Sequence, residues 1–452
     1  MDLMPISAAH PTDGDGGALE RETMKRVTRR LLPLLMICYF AAYLDRVNVG
    51  FASLTMNQAL GFSNAVFAFG SGIFFVGYFL FEIPSNLLLE KVGARLWIAR
   101  ILITWGLISG LTAFVWSAWS FYGIRFLLGL AEAGFYPGII LYLTWWFPSH
   151  YRSRIIGIFM TAIPISVVTG SLVSSQILSV GGWLGLQSWQ WLFILEAAPT
   201  VVLGFVVMFY LTDRPEQARW LEPHQREWLS GRLDAERAQR ETIRHYNLVE
   251  TLRNGRVWLL TAVYFGQNMT GYGLAFFLPQ IVKKFGNSIS MTGLISALPF
   301  AFAAVAMVLW GMHSDRTGER NKHAAFACFV NFAGLAACLV LNDPLWMMVA
   351  LILSQMGQSS MAPTFWTLPT AMLSGTAAAG GIAMINAVGN LGGFLGPYLM
   401  GVIQERTGNF ALGLLAISMG ALVATVILLA LGHDRRLERV PAERCGGVRG
   451  AV

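Results

Sequence analysis

Glu90-Lys91-Val92-Gly93-Ala94-Arg95 and Asp315-Arg316-Thr317-Gly318-Glu319-Arg320 carry acid, base, turn glycine and base in the same order, 225 residues apart. Each hexapeptide follows a long apolar run, so one element-and-loop pattern is written twice. Pro137 and Pro363 recur at nearly the same offset. A chain of two similar halves follows, and parallel repeats of six helices are one of the architectures of secondary transporters.

Outward from the hexapeptides, apolar runs bounded by charge or turn residues predict helices near 31–57, 65–89, 95–117, 120–146, 153–178 and 190–211. Six more are predicted near 257–282, 291–313, 324–341, 345–372, 380–404 and 409–432. A helix needs about 20 apolar residues to cross a bilayer. The expectation is an all-α membrane protein with twelve transmembrane helices in two six-helix pseudo-repeats. Its parts are a leader (1–30), an N-terminal bundle (31–211), a linker (212–255), a C-terminal bundle (256–432) and a tail (433–452). Composition points the same way: 55% of the 452 residues are apolar and 13% charged, against roughly 25% charged in soluble domains.

The net charge of +7 is explained by where the bases lie. They concentrate in the leader (Arg21, Lys25, Arg26, Arg29, Arg30), the hexapeptide loops, the stretch His150–Arg154, the linker and the tail (Arg435, Arg436, Arg439). Segments 58–64, 118–119 and 179–189 hold none, while Lys283, Lys284 and Arg406 are exceptions in the second half. Cytoplasmic loops collect Lys and Arg, which places both termini in the cytoplasm and leaves nucleic acid without a role. Trp116, Trp119, Trp183 and Trp189 fall at the outer boundary, where amphipathic rings settle. No small-residue cleavage site follows the first apolar run, so it reads as an uncleaved helix. Cys38, Cys328, Cys338 and Cys445 stand singly, and neither a disulfide framework, a metal set nor a nucleotide-binding glycine loop is present in the sequence. No cofactor is expected.

The string Gly311-x-x-x-Asp315-Arg316-x-Gly318-x-Arg320 resembles the loop motif of the major facilitator superfamily. The first copy departs from it, with Asn86, Glu90 and Ala94 where the motif has glycine, aspartate and a base. Tyr43-Leu44-Asp45-Arg46-Val47-Asn48, Pro84-Ser85-Asn86-Leu87-Leu88-Leu89 and the run Arg125 to Gly138 narrow the resemblance to the anion:cation symporter family. Phe365-Trp366-Thr367-Leu368-Pro369-Thr370 and Gly389 to Pro397 are most similar to its tartrate, phthalate and 4-hydroxyphenylacetate permeases. The resemblance covers about Arg29 to Gly432 and implies proton-coupled uptake of a small organic carboxylate by alternating access. It implies a bacterial inner-membrane protein working as a monomer, whose partners are the organic anion, H+ and the lipid bilayer.

Ionisable groups inside the bilayer cost about 2.5–3.5 kcal/mol each on insertion scales and mark functional positions. Here they are Asp45, Arg46, Glu82, Arg125, Glu132 and Glu196, all in the first half; at the repeat offset Asp45, Arg46 and Glu132 correspond to Thr270, Gly271 and Gly357. The first half is therefore expected to handle charge and the second to supply neutral hydrogen-bonding groups. Arg46 suits a substrate carboxylate because a guanidinium stays charged and binds both oxygens. Pairing with Asp45 alone, to hold the helix, is the other reading of Arg46. By motif position the resemblance makes Asp45 and Glu132 proton-coupling sites, and Arg125 shares a helix face with Glu132. Glu82 and Glu196 are expected to bond to nearby backbone or loops.

Gln267, Asn268, Thr270 and Tyr272 form a polar, glycine-broken patch on the seventh helix, and interrupted helices of this kind line binding sites. Close packing through small residues is the competing explanation. Thr364, Trp366 and Asn386 extend the polar set, Trp366 and Asn386 matching the family's substrate contacts, while Tyr43 and Tyr78 match its cavity tyrosines. Ile163-Pro164-Ile165-Ser166 stands where sugar-acid carriers place a glutamine, which points toward a smaller or aromatic carboxylate. Glu90, Arg95, Asp315, Arg316 and Arg320 are the expected gating groups. Drug or metabolite export by proton antiport is the rival within transport, and a receptor or enzyme on this scaffold the rival outside it.

Overall fold

A computed structural model describes residues 13–241, 253–372 and 376–431, and these are helical apart from short connections and one bridge between Trp183 and Leu186. The leader and the first apolar run form one 48-residue helix, α1 (Asp13–Leu60). There follow α2 (Asn64–Val92), α3 (Ala94–Leu111), α4 (Ala118–Glu132), α5 (Phe135–Thr144), α6 (Ser149–Met160), α7 (Ala162–Val180) and α8 (Ser188–Tyr210). α9 (Pro223–Glu241) lies in the linker. The second half comprises α10 (Gly255–Lys283), α11 (Ile289–Thr317), α12 (Asn321–Ala337), α13 (Pro344–Phe365), α14 (Thr367–Met372), α15 (Thr376–Asn390), α16 (Gly392–Thr407) and α17 (Phe410–Leu431).

Eight stretches among the described residues are long and apolar enough to cross a membrane: one on each of the six predicted first-half segments, with Ile289–Ser314 and Phe410–Leu431 in the second. Helices also lie over the other four predicted segments. Their apolar signal is diluted by the Gln267–Tyr272 patch in α10, by the 17-residue length of α12, by Gln355 and Gln358 in α13, and by the break between α15 and α16.

The repeat in sequence is a repeat in packing. α2 lies against α4, α3 against α8 and α1 against α7; correspondingly α11 lies against α13, α12 against α17 and α10 against α16. The paired hexapeptides share a device, for Gly93 and Gly318 both take positive φ (98° and 69°) and cap the preceding helix. A glycine is needed there because a Cβ makes that region costly. The halves meet through α2 on α16, α7 on α11 and α1 on α10.

The linker is less of a free tether than its charge suggests. Glu222 pairs with Arg26 on α1 at 3.0 Å, and Glu236 of α9 lies 3.4 Å from Arg152. Trp116, Trp119 and Trp183 are exposed, as boundary aromatics should be, but Trp189 is buried and donates to the Gln187 side chain. The Arg435, Arg436 and Arg439 cluster lies outside the described residues.

Candidate functional site

Successive residues on a helix point about 100° apart, so Asp45 and Arg46 cannot face the same way. Asp45 turns toward α3, where its carboxylate accepts from the Trp105 indole (2.6 Å), the Ser109 hydroxyl (2.6 Å) and the Asn48 amide (3.0 Å). Arg46 turns inward. Its Nε and Nη2 lie 2.6 and 2.5 Å from Glu132 Oε1, and its Nη1 donates to the Tyr272 hydroxyl of α10 at 3.1 Å. Arg46 therefore binds Glu132, not Asp45.

Glu132 is the last residue of α4, and the chain breaks there because Gly134 adopts φ +82° against Ser85. Arg125, two turns earlier, is 2% exposed; it reaches the Ser71 carbonyl at 3.5 Å and leaves Nε without a partner. Between the two guanidiniums sits the Phe74 ring, 5.7 Å from Arg46 and 5.3 Å from Arg125, within the range of cation–π attraction. Tyr43 and Tyr78 also face Arg46, at 5.3 and 5.4 Å.

Arg46 opens onto a cavity of about 150 Å³ between the halves. Among the residues expected to bind substrate, Tyr43, Arg46, Tyr78, Gln267, Asn268, Trp366 and Asn386 line it. Thr364 does not; it is buried and bonds back to its own helix at the Met361 carbonyl. Tyr39, Tyr136, Tyr264 and Tyr272 complete a wall of six tyrosines, with Met160, Ile163 and Met361 as its aliphatic part. Tyr39, Tyr43 and Arg46 share a face of α1, as do Tyr264, Gln267, Asn268 and Tyr272 on α10. Helical spacing from the residues already chosen was the signal that could have found Tyr39 and Tyr264.

The second half lines the cavity with neutral groups, as its sequence requires. Behind Gln267 and Gln358 the buried Asn331 amide donates to Gln267 Oε1 (3.2 Å), Thr270 Oγ1 (3.0 Å) and Gln358 Oε1 (2.7 Å). Asn268 donates to the Gly389 carbonyl at 3.1 Å. Asn386 donates across the halves to Glu82 at 2.6 Å, so Glu82 bonds to the opposite half rather than to nearby backbone. Glu196 is met by Ser174 on α7 at 2.7 Å, away from the cavity.

Of the expected gating groups, Glu90 and Arg316 are exposed. The Arg95 backbone N–H donates to Asp213 at the start of the linker at 2.8 Å with its guanidinium 3.8 Å away, a contact that does not reach the second half, and Arg320 lies 3.4 Å from the Ser314 hydroxyl. The Asp315 side chain lies outside the described residues. Hydrogen bonds joining the halves, among the described residues, occur around the cavity and at the end away from the hexapeptides: Asn64 to Gln404, the Ala65 N–H to Glu405 (2.8 Å) and Gln280 to Ser53 (2.9 Å). The cavity is thus closed off at that end.

Comparison with known proteins bears on the family and the fold. A sequence model of the Major Facilitator Superfamily matches residues 35–397 and 260–449. The chain is 51% identical over 415 residues to a putative tartrate transporter of Agrobacterium vitis, covering 92% of this chain and 96% of that one. It is 39% identical to a quinolone resistance transporter of Acinetobacter baumannii, covering 94% and 99%. Among solved structures, a bacterial homologue of the human lysosomal transporter Spinster, inward-facing and occupied, superposes with TM-score 0.72 at 15% identity, covering 88% of this chain and 96% of that one.

Proposed function

This chain belongs to the Major Facilitator Superfamily, and from that premise we propose that it is a proton-coupled symporter taking up a small organic carboxylate such as tartrate or a compact aromatic acid. It is a membrane-embedded secondary transporter and not an enzyme. The observation that carries the substrate class is Arg46, the charged side chain among the cavity-lining residues, with its inner edge held by Glu132. The name of the Agrobacterium vitis relative supports tartrate.

The mechanism follows from competition for one guanidinium. While Glu132 is ionised it occupies the Nε and Nη2 edge of Arg46; a proton on Glu132 frees that edge, and the substrate carboxylate takes it bidentately. Anion and proton then enter together, because either alone leaves a buried charge uncompensated. Tyr43, Tyr78 and Tyr272 supply ring faces and hydroxyls, and Gln267, Asn268, Trp366 and Asn386 read the rest of the molecule from the neutral half. Asp45 and Arg125 hold charge balance one layer behind. The hexapeptide groups Glu90, Arg95, Asp315, Arg316 and Arg320 close the cytoplasmic end when the halves rock, and Lys and Arg on that side set both termini in the cytoplasm of an inner-membrane monomer.

Uptake of labelled carboxylates into proteoliposomes under an inward proton gradient tests this. Tartrate or a monocyclic aromatic acid should accumulate. Arg46→Ala should weaken apparent affinity about 30-fold or more, the scale of removing one partner of a buried charge pair. Glu132→Gln should still exchange substrate but no longer concentrate it. Normal anion binding in the first variant, or uphill uptake in the second, overturns the assignment. The Acinetobacter baumannii relative favours a second reading, export by antiport, for which proton-driven efflux of a cationic or zwitterionic drug from the same vesicles is the signature.

A further inference from the structure

Away from the cavity, at the end of the molecule where α1 leaves its apolar run, lies a cleft of about 510 Å³ lined by Lys25, Arg26, Arg29, Arg30, Tyr210 and Trp220, with Glu22 as the acid on its rim. Its floor is rigid. The Arg30 guanidinium lies over Tyr210 (4.2 Å) and Trp220 (5.1 Å), and Trp220 stacks on Trp146 at 5.4 Å and donates to Thr212. Arg26 is spent on Glu222 and Gln225, both at 3.0 Å. Lys25 and Arg29 are exposed and form no ion pair among the described residues, and Arg30 Nε is buried without an acceptor. Three cationic groups therefore converge on a space where, among the described residues, Glu22 is the one acid in the lining.

An exposed apolar helix face leads up to the cleft. Tyr210 ends α8, and directly before it Val202, Phe205, Val206 and Phe209 fall at i, i+3, i+4 and i+7, a single face of the helix. All four are exposed, Phe209 at 81%. A basic pocket at the cytoplasmic boundary continuous with an apolar stripe matches an anionic headgroup and its chains. We propose that this cleft binds one anionic phospholipid, its phosphate among Lys25, Arg29 and the Arg30 guanidinium, its glycerol against Tyr210 and Trp220, and an acyl chain along α8. A zwitterionic headgroup would place its own cation among these bases. A free phosphate ester shares the headgroup chemistry but makes no use of the stripe. Because α1 runs unbroken from Asp13 to Leu60, a lipid fixed at residues 25–30 anchors the helix that also carries Arg46.

Native mass spectrometry of the detergent-solubilised full chain, titrated with phosphatidylglycerol or with phosphatidylcholine of the same acyl length, tests the assignment. The wild type should retain one phosphatidylglycerol and no phosphatidylcholine at equal concentration. Lys25→Gln with Arg29→Gln should weaken retention about 30-fold, the loss expected for two bases at a membrane surface. Phe209→Gln, which leaves the charges intact, should also weaken it, while inorganic phosphate at the same concentration should not displace the lipid. Equal retention by wild type and the double variant overturns the site. Full displacement by inorganic phosphate, or no effect of Phe209→Gln, overturns the lipid and leaves a free-anion pocket.

Discussion

Asp45 shows how much of the charged half is structural support. Its Oδ1 accepts from Asn48 and Ser109 and its Oδ2 from Trp105, so three buried donors on α1 and α3 converge on one carboxylate. Asparagine keeps the shape but turns one oxygen into an NH2 that faces a donor. A buried polar group left unsatisfied costs about 1–3 kcal/mol, and Asp45→Asn should lower stability by that amount, with the thermal unfolding midpoint in detergent falling accordingly. Trp105→Phe takes away the one donor to Oδ2 and leaves a buried carboxylate oxygen unsatisfied beside a void, so it should cost at least as much. An unchanged midpoint in Asp45→Asn would mean that these contacts do not hold α1 to α3. Sequence alone made Asp45 and Arg46 candidates but could not separate their directions, and the partner it offered Arg46 was the adjacent acid. The bond to Glu132 depends on the break after α4, which the long, mostly apolar stretch through Phe135 conceals.

At the scale of elements, α2 and α4 approach so closely that a Cβ on Gly129 would meet the Phe74 carbonyl oxygen, and one on Gly77 that of Phe126. This contact places Phe74 between Arg46 and Arg125 and brings Glu132 within reach of α1. Forcing extra methylenes into such packing costs about 1–3 kcal/mol; Gly129→Val should therefore destabilise the chain by at least that much and weaken substrate binding together with it. Binding that persists at wild-type strength in a less stable variant would separate the packing from the site. The repeat made the pairing of halves legible before any coordinates, since two hexapeptides with a capping glycine recur at one offset. The second half was harder to read as membrane-spanning, because the polar groups that face the cavity from α10 and α13 lower the hydropathy of those helices. The partner of Glu82 is hidden from the sequence for a related reason: Asn386 lies 304 positions away, in the opposite half, and no local pattern encodes how the halves dock.

For the whole molecule, alternating access requires that the contacts closing one end break when the other closes. At the closed end Glu405 of α16 reaches into the first half, and the Ser63 hydroxyl, the Ala65 backbone N–H and the Arg406 charge hold its carboxyl below its ordinary value. Separating the halves removes the first two, so the carboxyl returns toward 4.5. The separated state then binds a proton at a pH where the closed state does not, and linkage favours whichever state binds more protons. The contact therefore contributes fully above the ordinary carboxylate range and is lost as pH falls through it toward the lowered value. Spin labels at Ala59 and Thr407, read by pulsed dipolar spectroscopy in nanodiscs, should show a short distance at pH 7 that gives way to a longer one as pH drops below about 4.5. Glu405→Gln should abolish the part of this shift that depends on the carboxyl while leaving the midpoint of substrate-driven opening to Glu132 and Arg46. If the variant titrates like the wild type, the Glu405 contact is not an acid-sensitive latch, and opening at that end is governed from the cavity alone.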